Sequence, residues 1–205
     1  KKVPDELLPY VGLLSSVLGL MDTHKHTYPE LTNEININSG GISTDAAIYT
    51  DSKDFSKYTV MYEVKGKVLY EKLPFVLEMM NEIIYETKFE DEKRLREIIA
   101  RIKSRMESNM TGSGHTVAML SAMAQFSPSS YYSDILRGYQ YYEFIEKADR
   151  DFDSVKENLI ANLKRTAALI FTKENLTVSF TAEDDGLELL QKPMTVFVAG
   201  LAQSQ

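Results

Sequence analysis

Hydrophobic residues recur every three or four positions through most of the chain, and this spacing predicts a largely helical protein. An acidic start at Pro4, Asp5 and Glu6 opens the first helix, in which Leu7, Val11, Leu14 and Leu18 share one face. The same periodicity over residues 70–88, 91–110, 111–126, 127–148 and 153–171 predicts the further helices. In the second of these, Leu95, Ile98, Ile102 and Met106 form the apolar face.

Alternation replaces this spacing in three places and predicts strands there. Residues 41–51 and 58–68 alternate around a polar turn at 51–54, which indicates a hairpin. Leu176–Ala182 alternates in the same way, and residues 186–203 suit either a final helix or a linker. Helices, a hairpin, a helical block and a returning strand together predict an α+β fold. In that fold an antiparallel sheet carries helices packed on one face.

The composition is that of an ordinary globular protein of one domain or two small ones. The chain has 205 residues, 43% of them hydrophobic and 26% charged, with a net charge of −7. It contains no cysteine, which excludes disulfides, thiolate metal sites and a cysteine nucleophile. No apolar run reaches the roughly 20 residues of a membrane span, and no secretory signal is visible. The acidic balance, without a Lys/Arg-rich patch, argues against nucleic-acid binding.

Both ends of the sequence suggest a piece of a longer protein. The chain opens on Lys1 without a methionine and stops at Gln205 without a tail-like composition. We therefore expect its function to depend on a parent polypeptide.

The stretch "HKHTYPE" raises the question of a metal site, since His24, His26 and Glu30 are residue types that bind zinc. A structural zinc site needs four ligands, and neither a third anchored ligand nor a held geometry is evident here. Thr27 and Glu30, however, have the spacing of a capping box at a helix start. We expect a loop between two helices, with Glu30 in a capping role.

Residues Gly40, Gly41, Ile42, Ser43 and Thr44 form the most suggestive stretch. The two glycines allow close backbone approach, and a strand follows directly. These five residues are a candidate for contact with a peptide or with another domain, although ordinary sheet structure is the alternative.

Two other stretches carry weaker signals. His115 follows two glycines at a helix start, where it could bind an anion, but packing or capping is the favoured role. Residues 131–144 are rich in tyrosine, which suits an interface, yet core packing is the favoured interpretation.

One region carries a resemblance to a known family. The apolar first helix is followed by a pattern of polar, aromatic and glycine positions: Thr27, Tyr28, Glu30, Leu31, Ile35, Ile37, Gly40, Gly41 and Ile42. This pattern resembles the start of a non-catalytic domain in pitrilysin/insulinase-type zinc metallopeptidases, the inverzincins, and within them the presequence protease and falcilysin branch.

The resemblance implies four homologous α+β domains in two halves that close around an unfolded peptide. In such proteins only the first domain carries the H-x-x-E-H zinc motif, which this chain lacks. The chain resembles the third domain, without that domain's first strand, with residues 1–186 as the domain and 187–205 as a tail or linker. No catalytic, metal or cofactor residue is therefore assigned here, and zinc is expected in the full-length parent.

Three hypotheses follow. The first is a non-catalytic domain of a zinc metalloendopeptidase that degrades unfolded peptides, with the other domains of the same polypeptide as partners. The second is a structural or assembly module of the same fold, and the third is an independent metal hydrolase using His24, His26 and Glu30. For the first we expect the cytoplasm in a bacterium or an organelle matrix in a eukaryote, without nucleic-acid or membrane partners.

Overall fold

The structure is a computed structural model that describes residues 3–54, 56–183 and 186–202. Its helices are α1 (Leu8–Val17), α2 (Tyr28–Asn38), α3 (Leu73–Tyr85), α4 (Glu92–Met123), α5 (Pro128–Arg137), α6 (Tyr139–Arg150), α7 (Phe152–Ile170) and α8 (Gly186–Gly200). The strands are β1 (Ile42–Thr50) and β2 (Tyr58–Gly66), and short 3-10 turns span Asp5–Leu7, Tyr70–Lys72 and Lys173–Asn175.

The main core lies between the helices. It is built from buried residues of α1, α3, α4, α6 and α7, with the loops between them. On α4 the predicted face is confirmed, because Leu95, Ile98 and Ile102 are buried and Met106 packs against them. Burial of such side chains stabilises each by about 1.5–3 kcal/mol relative to exposure, so this core holds the helices together.

The two strands form one antiparallel hairpin, paired from Ile42 opposite Gly66 to Thr50 opposite Tyr58. Alternate residues face the helices, where Ala46 is buried with Val11 and Leu136. The opposite face is polar and open, as at Tyr49, whose hydroxyl bonds Glu63. The predicted α+β class, with helices on one face of the sheet, is confirmed.

The predicted strand at Leu176–Ala182 is wrong. The backbone there joins no ladder in the described part of the chain, where β1 and β2 pair only with each other. Leu176 and Val178 are 37% and 47% exposed. A strand needs a hydrogen-bonding neighbour and a surface to pack on, and the alternation alone supplies neither.

Two predicted helix boundaries move. The helices predicted at 91–110 and 111–126 form one element, α4, which bends at Ser113 where φ is −141° and ψ is 35°. The segment 127–148 divides at Gly138 into α5 and α6, because a side chain there would collide with Asp134.

The tail adopts the helical alternative between Gly186 and Gly200, as α8. Its buried residue Leu190 packs with Leu73, Val76, Leu77 and Met80 of α3. Residues 203–205 of the predicted tail lie outside the described residues, and the domain boundary at 186 stays a prediction.

Candidate functional site

The "HKHTYPE" stretch spreads its candidate ligands among separate partners. Glu30 accepts from the Thr27 backbone N–H at 2.9 Å and from its hydroxyl, so the capping box is confirmed. These bonds hold the pKa of Glu30 below its usual value. The exposed His24 is tied through its backbone N–H, which donates to the Glu86 carbonyl at 3.0 Å.

His26 turns instead towards a buried carboxyl group on α3. Its Nδ1 lies 2.8 Å from Oε1 of Glu82, a residue that is 0% exposed. The Thr23 hydroxyl donates to the same oxygen, while Oε2 has no partner among the described residues. The bond to Glu82 raises the pKa of His26, because the carboxyl group favours the protonated imidazole. The cluster fastens the loop before α2 to the end of α3.

No metal site emerges from these contacts. Within residues 3–54, 56–183 and 186–202, no three histidine, aspartate or glutamate side chains are grouped so that they could hold a metal ion. His115 lies exposed on α4 just beyond its bend.

The predicted contact stretch at the start of β1 has mixed roles. Gly41 adopts φ of +108°, a left-handed conformation that favours glycine, and Gly40 donates to the Lys67 carbonyl at 2.6 Å. Ile42 packs against the core and Ser43 is exposed. Thr44 donates its hydroxyl to the Ser15 carbonyl of α1 at 2.9 Å. Contact of these residues with a peptide stays a prediction.

Thr44 also opens onto a cavity of about 690 Å³, which is bounded by α1, β1, α4, α5 and α6. One face of α4 forms its longest wall, with Ile98, Arg101, Ile102, Arg105, Met106 and Asn109 at helical spacing. The isoleucines are buried in the core, while both arginines and the asparagine are exposed. The cavity therefore has an apolar floor and a cationic rim.

The two rim arginines lack counter-ions. Arg101 and Arg105 make no hydrogen bond or ion pair with any residue that the structure describes. Other basic residues of α4 are paired: Arg94 with Glu97 at 3.2 Å, Arg96 with Asp153 at 3.5 Å and Lys103 with Asp149 at 2.9 Å. The cavity side of α4 thus carries positive charge that the described protein does not neutralise.

The opposite wall contributes a buried hydroxyl group. Tyr141 of α6 lines the cavity and is 4% exposed. Ser16 and Arg105 lie near its hydroxyl, yet that group makes no hydrogen bond of normal geometry with a described residue. Burial raises the pKa of this hydroxyl, so it stays protonated and can donate.

A glycine allows this wall to form. At Gly12, a side chain would collide with the Leu136 carbonyl and approach the Tyr141 ring to 3.0 Å. The close approach brings α1 onto the end of α5, where Arg137 faces Asp45 of β1 at 4.0 Å. Three arginines against one aspartate leave two net positive charges around the cavity.

Such an arrangement can bind an anionic group, since guanidinium groups form paired, charge-assisted bonds to carboxylates and phosphates. The sequence concealed it because the arginines come from two helices and form no contiguous basic patch. The available signal was the Arg101–Arg105 pair, four residues apart without an acidic neighbour on the same helical face.

Comparison with known proteins assigns the chain to a family. Residues 1–147 match the peptidase-associated domain family of metallopeptidase family 16, subfamily C. Protein HypA of Clostridium perfringens is 31% identical over 200 residues, which are 96% of this chain and 20% of that protein. The mitochondrial presequence protease of Xenopus laevis is 24% identical over 203 residues, 99% of this chain and 20% of that protein.

A plant relative gives the same coverage. Presequence protease 1, chloroplastic/mitochondrial, of Arabidopsis thaliana is 26% identical over 196 residues, 94% of this chain and 18% of that protein. The chain therefore spans about a fifth of the length of the curated relatives it matches. No helix in its described part is long and apolar enough to cross a membrane.

Proposed function

The chain belongs to this peptidase-associated family, and on that premise we propose that it is a non-catalytic domain of a zinc-dependent metalloendopeptidase. In this role it forms part of the chamber in which the parent protein degrades unfolded peptides. The observation that carries the proposal is the extent of the match, because nearly the whole chain aligns with a fifth of a presequence protease.

The side-chain contacts support a non-catalytic role. His26 is committed to Glu82, and Glu30 is committed to its helix cap. Neither side chain is placed to join His24 around a metal ion. Zinc supplies a polarised water in hydrolases of this chemistry when it is bound, and in this proposal its ligands belong to another domain of the parent.

The proposed partners are the other domains of the same polypeptide and, through them, unfolded peptides. The surface that faces such partners includes the start of β1 from Gly40 to Thr44 and the adjoining cavity. The proposed location is the cytoplasm of a bacterium or the matrix of an organelle, in keeping with the relatives named above.

The test compares this chain with its full-length parent in zinc content and cleavage of an unstructured fluorogenic peptide. We expect less than about a tenth of an equivalent of zinc and no cleavage for the chain alone, with both present in the parent. Replacing Ile98 by aspartate should abolish cleavage by the parent while its zinc content remains, since this domain collapses and the metal site lies elsewhere.

Two results would contradict the proposal. About one equivalent of zinc with cleavage by the chain alone would make it an independent hydrolase. A zinc-free, inactive parent would instead indicate an assembly module of the same fold.

A further inference from the structure

We propose that the cavity between α1, β1, α4 and α5 binds an acidic side chain of an extended peptide, held by Arg101 and Arg105. The peptide's role as a substrate rests on the proposed function above. The binding itself requires no peptidase activity and is tested separately.

Unpaired charge on α4 is the main feature of the site. Residues four apart on a helix are neighbours about 5–6 Å apart at their Cβ atoms, so Arg101 and Arg105 project together over the cavity. Their mutual repulsion is unrelieved, whereas Lys103 on another side of the same helix has Asp149 at 2.9 Å. A carboxylate between the two guanidinium groups supplies the missing counter-ion.

The buried hydroxyl of Tyr141 favours the same kind of ligand. A buried polar group without a partner is costly, so few persist in native proteins without a reason. This hydroxyl lines the same cavity as the two arginines and remains a donor. A carboxylate oxygen that reaches the inner end of the cavity can accept its hydrogen bond.

The size and borders of the cavity indicate the kind of anion. The volume of about 690 Å³ far exceeds that of a phosphate ion and is typical of a site for a larger ligand. One border is β1, which pairs with β2 along a single edge in the described chain. A strand edge offers backbone groups to an extended peptide, which a free anion does not use.

Asp45 limits the site and so provides a test of its charge logic. It lies at the mouth, 4.0 Å from Arg137, and accepts a hydrogen bond from the Ala46 backbone N–H at 2.9 Å. Replacing Asp45 by asparagine keeps an acceptor for that N–H and removes a negative charge that opposes an acidic ligand. We expect severalfold tighter binding in Asp45→Asn.

The experiment measures fluorescence anisotropy of a labelled eight-residue peptide with blocked ends and Glu-Asp at its centre, in about 50 mM salt. The matched peptide carries Gln-Asn instead. We expect saturable one-site binding of the acidic peptide, at least tenfold weaker binding of the amide peptide, and weakening as salt screens the arginines.

The variant that removes the site is Arg101→Gln with Arg105→Gln. Both side chains are exposed, so folding should be retained, and the acidic peptide should bind at least tenfold more weakly. The control is Arg96→Gln with Arg165→Gln, which makes the same charge change on residues outside the cavity and should alter affinity less than twofold.

Tyr141→Phe separates binding from structure. Because the hydroxyl has no partner in the described protein, its removal should leave the melting temperature unchanged or raised. Affinity for the acidic peptide should nevertheless fall severalfold. A lower melting temperature with unchanged affinity would show that the hydroxyl serves the fold alone.

Three outcomes overturn the inference. These are equal binding of the acidic and amide peptides, no binding of either, and equal losses in the cavity and control double variants. Complete competition by inorganic phosphate at the peptide's own concentration range also overturns it, since the site would then take a free anion. None of these results touches the zinc and cleavage test, so the two proposals can fail independently.

Discussion

Two polar regions of the molecule differ in how far their groups satisfy one another. Around Glu82, the buried carboxyl group is met by Thr23 and His26 from one loop, although its second oxygen remains without a described partner. Around the cavity, Arg101, Arg105 and the Tyr141 hydroxyl have no hydrogen-bond or ion-pair partner in the described chain. The first region joins parts of the fold, and the second presents charge to the exterior.

The difference shows that residue type alone is a poor guide to a site. Histidine and glutamate drew attention to residues 24–30, yet in the structure they form a helix cap and an internal pair. The arginines of α4 resembled an ordinary solvated helix face. What distinguishes a binding site here is the lack of internal partners, which becomes visible only in three dimensions.

The largest effect is expected where the cavity shares its floor with the core. Ile98→Ala should lower the free energy of unfolding by about 2–5 kcal/mol, because it leaves a void beneath the rim. The control Val196→Ala, at a residue 70% exposed on α8, should change it by less than about 0.5 kcal/mol. Urea unfolding checks both variants, and equal losses would mean that Ile98 does not lie in a packed core.

The Glu82 region can be opened by a single substitution. His26→Ala should cost about 1–3 kcal/mol of unfolding free energy, because it deprives a buried carboxyl group of one partner. The matched control is His24→Ala, two residues away and exposed, which should cost less than about 0.5 kcal/mol. If the two variants lose the same stability, the internal pairing described here is incorrect.

The same pair should make stability depend on pH in a defined direction. The folded-state pKa of His26 is raised above its ordinary 6.5, so its contribution is complete below that pH. The contribution is lost as pH rises through the raised pKa. Urea unfolding between pH 5.5 and 8.5 should therefore show a stability gap between wild type and His26→Gln that narrows with rising pH. A gap that widens would reverse the sign assigned to the pair.

The smallest effects should have opposite signs on the two sides of α4. Arg101→Gln relieves repulsion with Arg105 and should stabilise the chain by about 0.2–0.5 kcal/mol. Lys103→Gln removes a pair with Asp149 and should destabilise it by up to about 1 kcal/mol. Parallel melting curves at low salt would reveal the difference, and a loss in both variants would indicate that Arg101 has a stabilising partner.

Local patterns predicted much of the fold. The spacing of Leu95, Ile98 and Ile102 predicted a buried helix face, and Thr27 with Glu30 predicted a helix start, because both signals act within a few residues. The strand at Leu176–Ala182 failed because strand formation depends on a distant partner. Alternation reports only that a segment could form one.

The candidate site was beyond local patterns for the same reason. His26 meets a carboxyl group 56 positions away, and the cavity assembles residues from five elements. No spacing rule anticipates that Arg101 and Arg105 lack counter-ions, since that depends on what α1, β1, α5 and α6 bring opposite them. The predicted contact stretch reached one wall of the cavity at Thr44 and stopped short of its charged rim.

The most direct test of this contrast follows backbone amide NMR signals while the chain is titrated in turn with zinc and with the acidic peptide. We predict that the peptide shifts Thr44, Asp45 and Ala46 saturably and leaves residues 24–30 unchanged, and that zinc produces no stoichiometric change. Saturation by one equivalent of zinc at His24 and His26, with no peptide response along β1, would contradict this prediction.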